Sequence, residues 1–230
     1  MKKIGIIGGV GPEATIEYYR LIVKYYREKL TDGSYPEIII NSINITKMIS
    51  LIEKSDKSEL ISYLSHGVQS LAEAGADIAL IASNTPHLVF DEVAALSEIP
   101  LVSIVEQTCI EANFLGLKKT GLIGTAFTMN NRFYHNVFDK ENIEVVTPDD
   151  ESKEFIHAKI FSELVSGIIK DDTRKRFIEI ISRMKSDSGI DGLILGCTEL
   201  PLILTEGDIP GIPFLNTTAL HAKGIVDKIL

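Results

Sequence analysis

The sequence predicts an α/β protein made of two similar parallel-sheet domains, and three observations predict it. Short apolar runs of strand length alternate with longer stretches at helical spacing. Several of the runs break into Gly, Pro, Asn, Ser or Thr, the residues that start turns and cap helices. The pattern also restarts halfway. Lys118-Lys-Thr-Gly-Leu-Ile-Gly124 copies Lys2-Lys-Ile-Gly-Ile-Ile-Gly8 at an offset of 116, and Gly189 to Cys197 copies Gly75 to Ser83 at 114. Asp208-Ile-Pro-Gly-Ile-Pro213 echoes Glu98-Ile-Pro-Leu-Val102 at 110. Three landmarks in the same order favour an internal duplication. The division this suggests is 1–102 plus 212–230 for one domain and 103–211 for the other, with the last helix returning to the first half.

In order, Lys2 to Gly8 reads as a buried strand, and Pro12 opens a helix carrying Tyr18, Leu21, Ile22 and Tyr25 towards Leu30. Glu37 to Ser42 is the second strand, and Asn44 to Ile52 is a short helix or lid-like loop. Ser55-Asp56 precedes a helix with the apolar stripe Leu60, Leu64, Val68 and Leu71, which Gly75 stops. Asp77 to Ala82 is the third strand, with Thr85 as N-cap of a helix that has Pro86 in its first turn and runs to about Leu96. A strand at Leu101 to Ile104 and a helix through Cys109 to Leu115 complete the first copy. In the second, Ile143 to Val146 is a strand, Phe155 to Ile169 a helix, and Phe177, Ile180, Ile181 and Met184 the stripe of the helix before the Asp191 strand. Asn216 to Leu230 is a closing helix. Alternation of this kind places helices on both faces of each sheet.

Composition narrows the function. The 230 residues are 45% hydrophobic, enough for a substantial core, and the formal charge of −9 without a basic stripe argues against nucleic acid. No apolar stretch reaches the roughly 20 residues that span a bilayer, so no membrane is expected. Two cysteines without a secretory leader point to reducing cytoplasm. His66, His87, His135, His157 and His221 form no metal-ligand spacing, and no metal site is expected.

Ligands of open α/β sheets bind beyond the carboxyl ends of strands, where helix N-termini aim donors at anions. There the duplication sets Ser83 in one half against Cys197 in the other. Halves facing each other about a pseudo-twofold axis would bring both to one ligand from opposite sides, as inversion at a tetrahedral carbon requires. A helix starting at Thr198 and Glu199 would lower the thiol pKa from about 8.5 and make Cys197 a usable base. Cys109, on an apolar helix, reads as packing.

Gly8-Gly-Val-Gly-Pro-Glu-Ala-Thr15, Ser83-Asn-Thr-Pro-His87, Gly124-Thr-Ala-Phe-Thr128 and Gly196-Cys-Thr-Glu199 together resemble the cofactor-independent aspartate/glutamate racemase family over nearly the whole chain. The resemblance implies two similar α/β domains with the site in the cleft between them, a small amino-acid substrate, no PLP or metal, and a homodimer. It implies Cys197 as an acid/base thiol and Ser83 in the place of its counterpart. Asn84, Thr85, Thr125 and Thr198 would bind the substrate's α-carboxylate and amino group, with Gly9 and Val10 lining the cleft. N-capping is the alternative role for the threonines that follow the strands. Family members usually carry Cys, sometimes Thr, at the Ser83 position, and a hydroxyl is a far weaker acid. Lys47 and Lys159 are candidates for a side-chain carboxylate contact, although neither matches the family's basic positions residue for residue.

Two enzyme alternatives and one binding alternative stand beside this reading. Gly9-Val-Gly-Pro-Glu-Ala14 fits a dinucleotide fingerprint, but the second strand ends in Asn41-Ser42 rather than the acid that holds a ribose. One-base, decarboxylase-like carbanion chemistry would use Cys197 alone, and an amino-acid-binding protein with a degenerate site would use neither group.

Overall fold

The computed structural model describes residues 2–230, at Pro12 the backbone alone. The chain forms two compact units, one of residues 1–104 with 218–230 and the other of residues 105–217.

Unit 1 contains β1 (Ile4–Gly8), α1 (Pro12–Lys29), β2 (Ile38–Ser42), α2 (Ile45–Glu53), α3 (Lys57–Glu73), β3 (Ile78–Ile81), a 3₁₀ turn (Thr85–Val89), α4 (Phe90–Ala95) and β4 (Leu101–Val102). α5 (Ile104–Phe114) begins on its last residue. Unit 2 continues with β5 (Lys119–Gly124), α6 (Ala126–Met129), α7 (Phe133–Phe138), β6 (Glu144–Val146), α8 (Asp150–Ser162), α9 (Asp171–Arg183), β7 (Gly192–Gly196) and β8 (Phe214–Asn216). α10 (Thr217–Ile229) then returns to unit 1.

Each sheet has four parallel strands, in the orders β2-β1-β3-β4 and β6-β5-β7-β8, so the second repeats the topology of the first. β1, β3 and β7 are buried along their whole length, as strands covered on both faces must be. In unit 1, Ile4, Ile6, Ile78 and Leu80 pack with Tyr18, Ile22 and Tyr26 of α1 and Ile225 and Val226 of α10. On the other face Ile7, Ala79 and Ile81 pack with Leu60, Leu64, Val68 and Leu71, the α3 stripe read from the sequence. In unit 2, Ile123, Leu193 and Leu195 pack with Ile156, Phe177, Ile180 and Ile181.

The repeat has a structural cause. Asp77 accepts from the Lys3 N–H at 2.7 Å and its own N–H reaches the Lys3 carbonyl. Asp191 accepts from the N–H groups of Lys118 and Lys119 at 2.7 and 3.0 Å, and its N–H reaches the Lys119 carbonyl. An aspartate before the third strand thus locks the start of the first strand in both units. The third landmark is displaced from its sequence assignment. Ala79 N–H bonds the Pro100 carbonyl and Leu193 N–H that of Pro213, so Pro213 is the counterpart of Pro100 at an offset of 113, not 110. Matching on Ile-Pro alone chose the wrong one of two Ile-Pro pairs.

Other boundaries differ for local reasons. Asn44–Ile52 resolves as helix, because the Asn44 side chain accepts from the N–H groups of Thr46 and Lys47. The helix expected over 155–169 runs from Asp150, capped by Asp149, and stops at Ser162; a 3₁₀ turn and Gly167 at φ 70° follow. Ile104 opens α5 rather than ending β4. Thr85 is not an N-cap: Asn84 precedes the 3₁₀ turn in helical conformation, with no side-chain cap bond. Among the described residues no helix is long and apolar enough to cross a membrane.

Candidate active site

Within unit 1 the Gly9 and Ser83 loops leave the carboxyl ends of β1 and β3, which pair directly. Gly9 adopts φ 77°, and a Cβ there would lie 2.2 Å from the Ile43 carbonyl, so backbone crowding against the chain after β2 explains this glycine without a nucleotide. Thr15 closes the loop: its hydroxyl accepts from the Gly9 N–H at 3.0 Å and donates to the Gly11 carbonyl. Asn41, where a ribose-binding acid would stand, donates to the Gly67 carbonyl of α3. Val10 is buried, Asn84 is 4% exposed, and Ser83 and Thr85 are half-buried.

In unit 2, Gly124 and Gly196 pair across β5 and β7 so closely that a Cβ on either would come within 2.9 Å of backbone oxygen. The residues that follow them, Thr125 and Cys197, are thereby brought to one edge of the sheet. Thr125 is the N-cap of α6 but makes no side-chain cap bond; its hydroxyl meets the Thr128 hydroxyl at 3.4 Å.

The Cys197 loop corrects the sequence reading. No long helix starts at Thr198; Leu200–Leu202 is a three-residue 3₁₀ turn with no side-chain cap. Instead the Cys197 thiol and the Thr198 hydroxyl both donate to Oε2 of Glu199, each at 2.8 Å. The thiol pKa is therefore not lowered. Burial pushes it well above its ordinary range, and Glu199 pushes the same way by its charge and by accepting the hydrogen bond. The half-buried Cys197 rests as a thiol hydrogen-bonded to the Glu199 carboxylate. Cys109 is buried, its thiol pushed up to about 11 by burial and then by Glu141 and Glu106.

Both candidate lysines have partners of their own. Lys159 lies 2.6 Å from the buried carboxylate of Glu163, which Thr173 and Lys170 also contact. Lys47 lies over the Tyr63 ring at 4.3 Å and 3.7 Å from Glu59.

Reading histidines only for metal spacing missed two that brace these loops. His87 contacts the Ser83 carbonyl at 2.9 Å, a partner four residues back that i, i+4 spacing would have flagged. His157 accepts from the Ala126 N–H at 3.1 Å, behind Thr125. Among the described residues no group of three or more His, Cys, Asp or Glu could hold a metal ion.

Fold and site define a duplicated parallel α/β protein with a hydroxyl and a thiol at matching strand ends. The chain belongs to the Asp/Glu/Hydantoin racemase family, whose model matches residues 7–225. It is similar to the broad specificity amino-acid racemase RacX of Bacillus subtilis, at 23% identity over 99% of this chain and 98% of that protein. A crystal structure of an aspartate racemase homologue from Pyrococcus horikoshii superposes with a TM-score of 0.85 at 38% identity, covering 99% of both chains. One of a protein from Yersinia pestis assigned as an Asp/Glu racemase does so with a TM-score of 0.92 at 35% identity, again over 99% of both.

Proposed function

We propose that this protein is a cofactor-independent amino-acid racemase of the aspartate/glutamate type, in which Cys197 and Ser83 act on opposite faces of one α-carbon. The observation that carries the reading is the Cys197–Glu199 hydrogen bond at the carboxyl end of β7, in the position that Ser83 occupies after β3. In one direction the thiol passes its proton to Glu199, the thiolate formed removes the α-proton, Ser83 delivers its hydroxyl proton to the opposite face, and solvent carries the proton from Glu199 back to the Ser83 oxygen. In the other the Ser83 hydroxyl loses its proton to solvent, its oxygen removes the α-proton, the thiol delivers its proton to the opposite face, and solvent reprotonates the thiolate. Among the described residues no carboxylate bonds the Ser83 hydroxyl, so proton transfer at Ser83 is the slow half of each turnover. The equilibrium constant between enantiomers is one, so kcat/KM is equal in both directions despite this asymmetry.

Asn84, Thr85, Thr125 and Thr198 are the proposed contacts for the α-carboxylate and amino group, with Gly9 and Val10 beside them. The lack of a side-chain cap bond from Thr125 at the start of α6 supports its part in that role. Ser83 lies in unit 1 and Cys197 in unit 2, so this reading requires both units. A reducing cytoplasm suits an enzyme that depends on a free thiol. Ile110, Phe114 and Leu115, exposed by 61%, 83% and 44%, support a homodimer, which light scattering on the purified protein tests.

Substrates without a side-chain carboxylate form a second reading. It is favoured by the engagement of Lys159 with Glu163 and of Lys47 with Tyr63, and by similarity to a relative named for broad specificity.

Each enantiomer of aspartate, glutamate and a panel of neutral and basic amino acids is incubated in D2O, with α-proton loss followed by NMR and configuration by chiral chromatography. Expected is exchange with inversion, with exchange outrunning inversion for the enantiomer whose α-proton faces Cys197. Exchange confined to non-acidic amino acids selects the second reading. No exchange with any of them sinks both.

A further inference from the structure

Two buried histidines of unit 1 take no part in the proton transfers above, and their hydrogen bonds define what they do. His87 Nε2 receives the Ile104 N–H at 3.1 Å. A backbone N–H only donates, so Nε2 carries no proton and Nδ1 does. Nδ1–H then donates to the Ser83 carbonyl at 2.9 Å. His221 is held in the opposite tautomer. Its Nε2–H donates to the Val102 carbonyl, and its Nδ1 accepts from the Tyr18 hydroxyl, both at 2.8 Å.

The cluster is dry and packed. His87 and His221 are 4% and 0% exposed, Tyr18 is fully buried, and the His87 ring stacks on Phe90 at 4.9 Å. It joins three stretches of unit 1: the Ser83 loop, Val102–Ile104 where the chain leaves the unit, and α10 by which it returns. A serine with a histidine four residues on invites a hydroxyl–base pairing. Here both ring nitrogens are occupied by backbone, so His87 is not the base of the Ser83 hydroxyl. Ser83 N–H bonds the Ile81 carbonyl at 2.8 Å, so with His87 on its own carbonyl both peptides of Ser83 are tethered.

We propose that His87, as the Nδ1–H tautomer, is a positioning residue for the proposed catalytic position Ser83: it anchors the Ser83 carbonyl to the chain exit at Ile104, which His221 and Tyr18 hold from the other side. This rests on the racemase reading above. It assigns to the histidine of Ser-Asn-Thr-Pro-His a role in orienting the weaker acid/base group.

Asparagine at 87 carries an amide about where Nδ1 lies, and glutamine about where Nε2 lies, so each keeps one bond. H87N retains a donor for Ser83, whereas H87Q retains only an acceptor for Ile104. In H87Q the Asn84 amide resonance moves and kcat falls by about tenfold to a hundredfold, more than KM changes, as for a catalytic group slightly misplaced. In H87N the Asn84 resonance stays and kcat is within about threefold of the parent. Equal kcat in the two variants, or an unmoved Asn84 resonance in H87Q, overturns the proposal. In the unsubstituted protein the imidazole ¹⁵N shifts of His87 should report a protonated Nδ1. A protonated Nε2 overturns the proposal even if neither variant folds. If no amino acid is turned over, the racemase reading falls, while the tautomer and the Asn84 resonance still decide this inference.

Discussion

The Ser83 and Cys197 loops leave equivalent strands of equivalent sheets, yet they are held in opposite ways. At Cys197 the side-chain sulfur itself is held, by Glu199 on Sγ. At Ser83 the backbone is held, by His87 on the carbonyl and Ile81 on the amide. Duplication preserved the scaffold, down to the aspartate locks of Asp77 and Asp191, while each side chain kept its own partners. The difference teaches that topology conserves where a side chain stands and leaves its acidity to whatever lies within hydrogen-bonding distance.

The largest expected effect is at the stronger half. Cys197→Ala should abolish both exchange and inversion, a loss of about 10³-fold or more in the D2O assay, because the thiol proposed to exchange the α-proton on that face is gone. Retained exchange would remove Cys197 from the chemistry. Ser83→Cys should raise inversion by about tenfold or more by giving the weaker half a thiol. A folded variant that binds substrate without gaining rate would show that the asymmetry lies elsewhere.

Glu199→Gln tests the partner of the thiol. Removing the carboxylate takes away two of the causes that raise the Cys197 pKa, so the pH midpoint of its alkylation by iodoacetamide should fall, while kcat falls by about tenfold to a hundredfold with loss of the proton acceptor. Buried Cys109 stays silent in that measurement. A midpoint that rises or stays would contradict the hydrogen bond as the cause.

Acid should weaken unit 1 through its neutral histidines. Burial lowers His87 to about 3, with His221 adding to it, and burial lowers His221 to about 4. Folded values below the unfolded one mean that the unfolded chain binds more protons between them. Stability is therefore intact above the ordinary histidine pKa near 6.5 and falls as pH drops towards 4, by at most about 1.4 kcal/mol per pH unit for each ring. Urea melts from pH 7 to 4 should show that slope, flattened in His221→Gln. The smallest effects should be the most symmetric: Asp77→Ala and Asp191→Ala each remove one strand lock and should each cost about 1–2 kcal/mol in urea denaturation. A several-fold inequality would mean that the locks are equivalent only in drawing.

Much of the fold is legible in the sequence. The apolar runs, the α3 stripe and the halfway restart fixed the fold class, because burial on both faces of a parallel strand and on one face of a helix imposes short-range periodicity on the chain. Thr85 and Thr198 were misread as caps because the turns that follow them are 3₁₀, and a Ser/Thr plus Pro pattern does not distinguish an α-helix from one tight turn. Ile-Pro matching misplaced the third landmark of the repeat by three residues, since a two-residue motif has less information than a strand register.

The sequence by itself determined the parallel α/β repeat, the glycine-closed loops and the identities of Ser83 and Cys197 at matching strand ends. Those features are local, written within one turn or one strand. Only the tertiary structure decided how the groups are tuned: that the thiol is raised rather than lowered, that Lys159 pairs with Glu163, and that His87 reaches Ile104, 17 residues away. Acidity and hydrogen bonding depend on which distant atoms share a dry space, and no spacing along the chain records that.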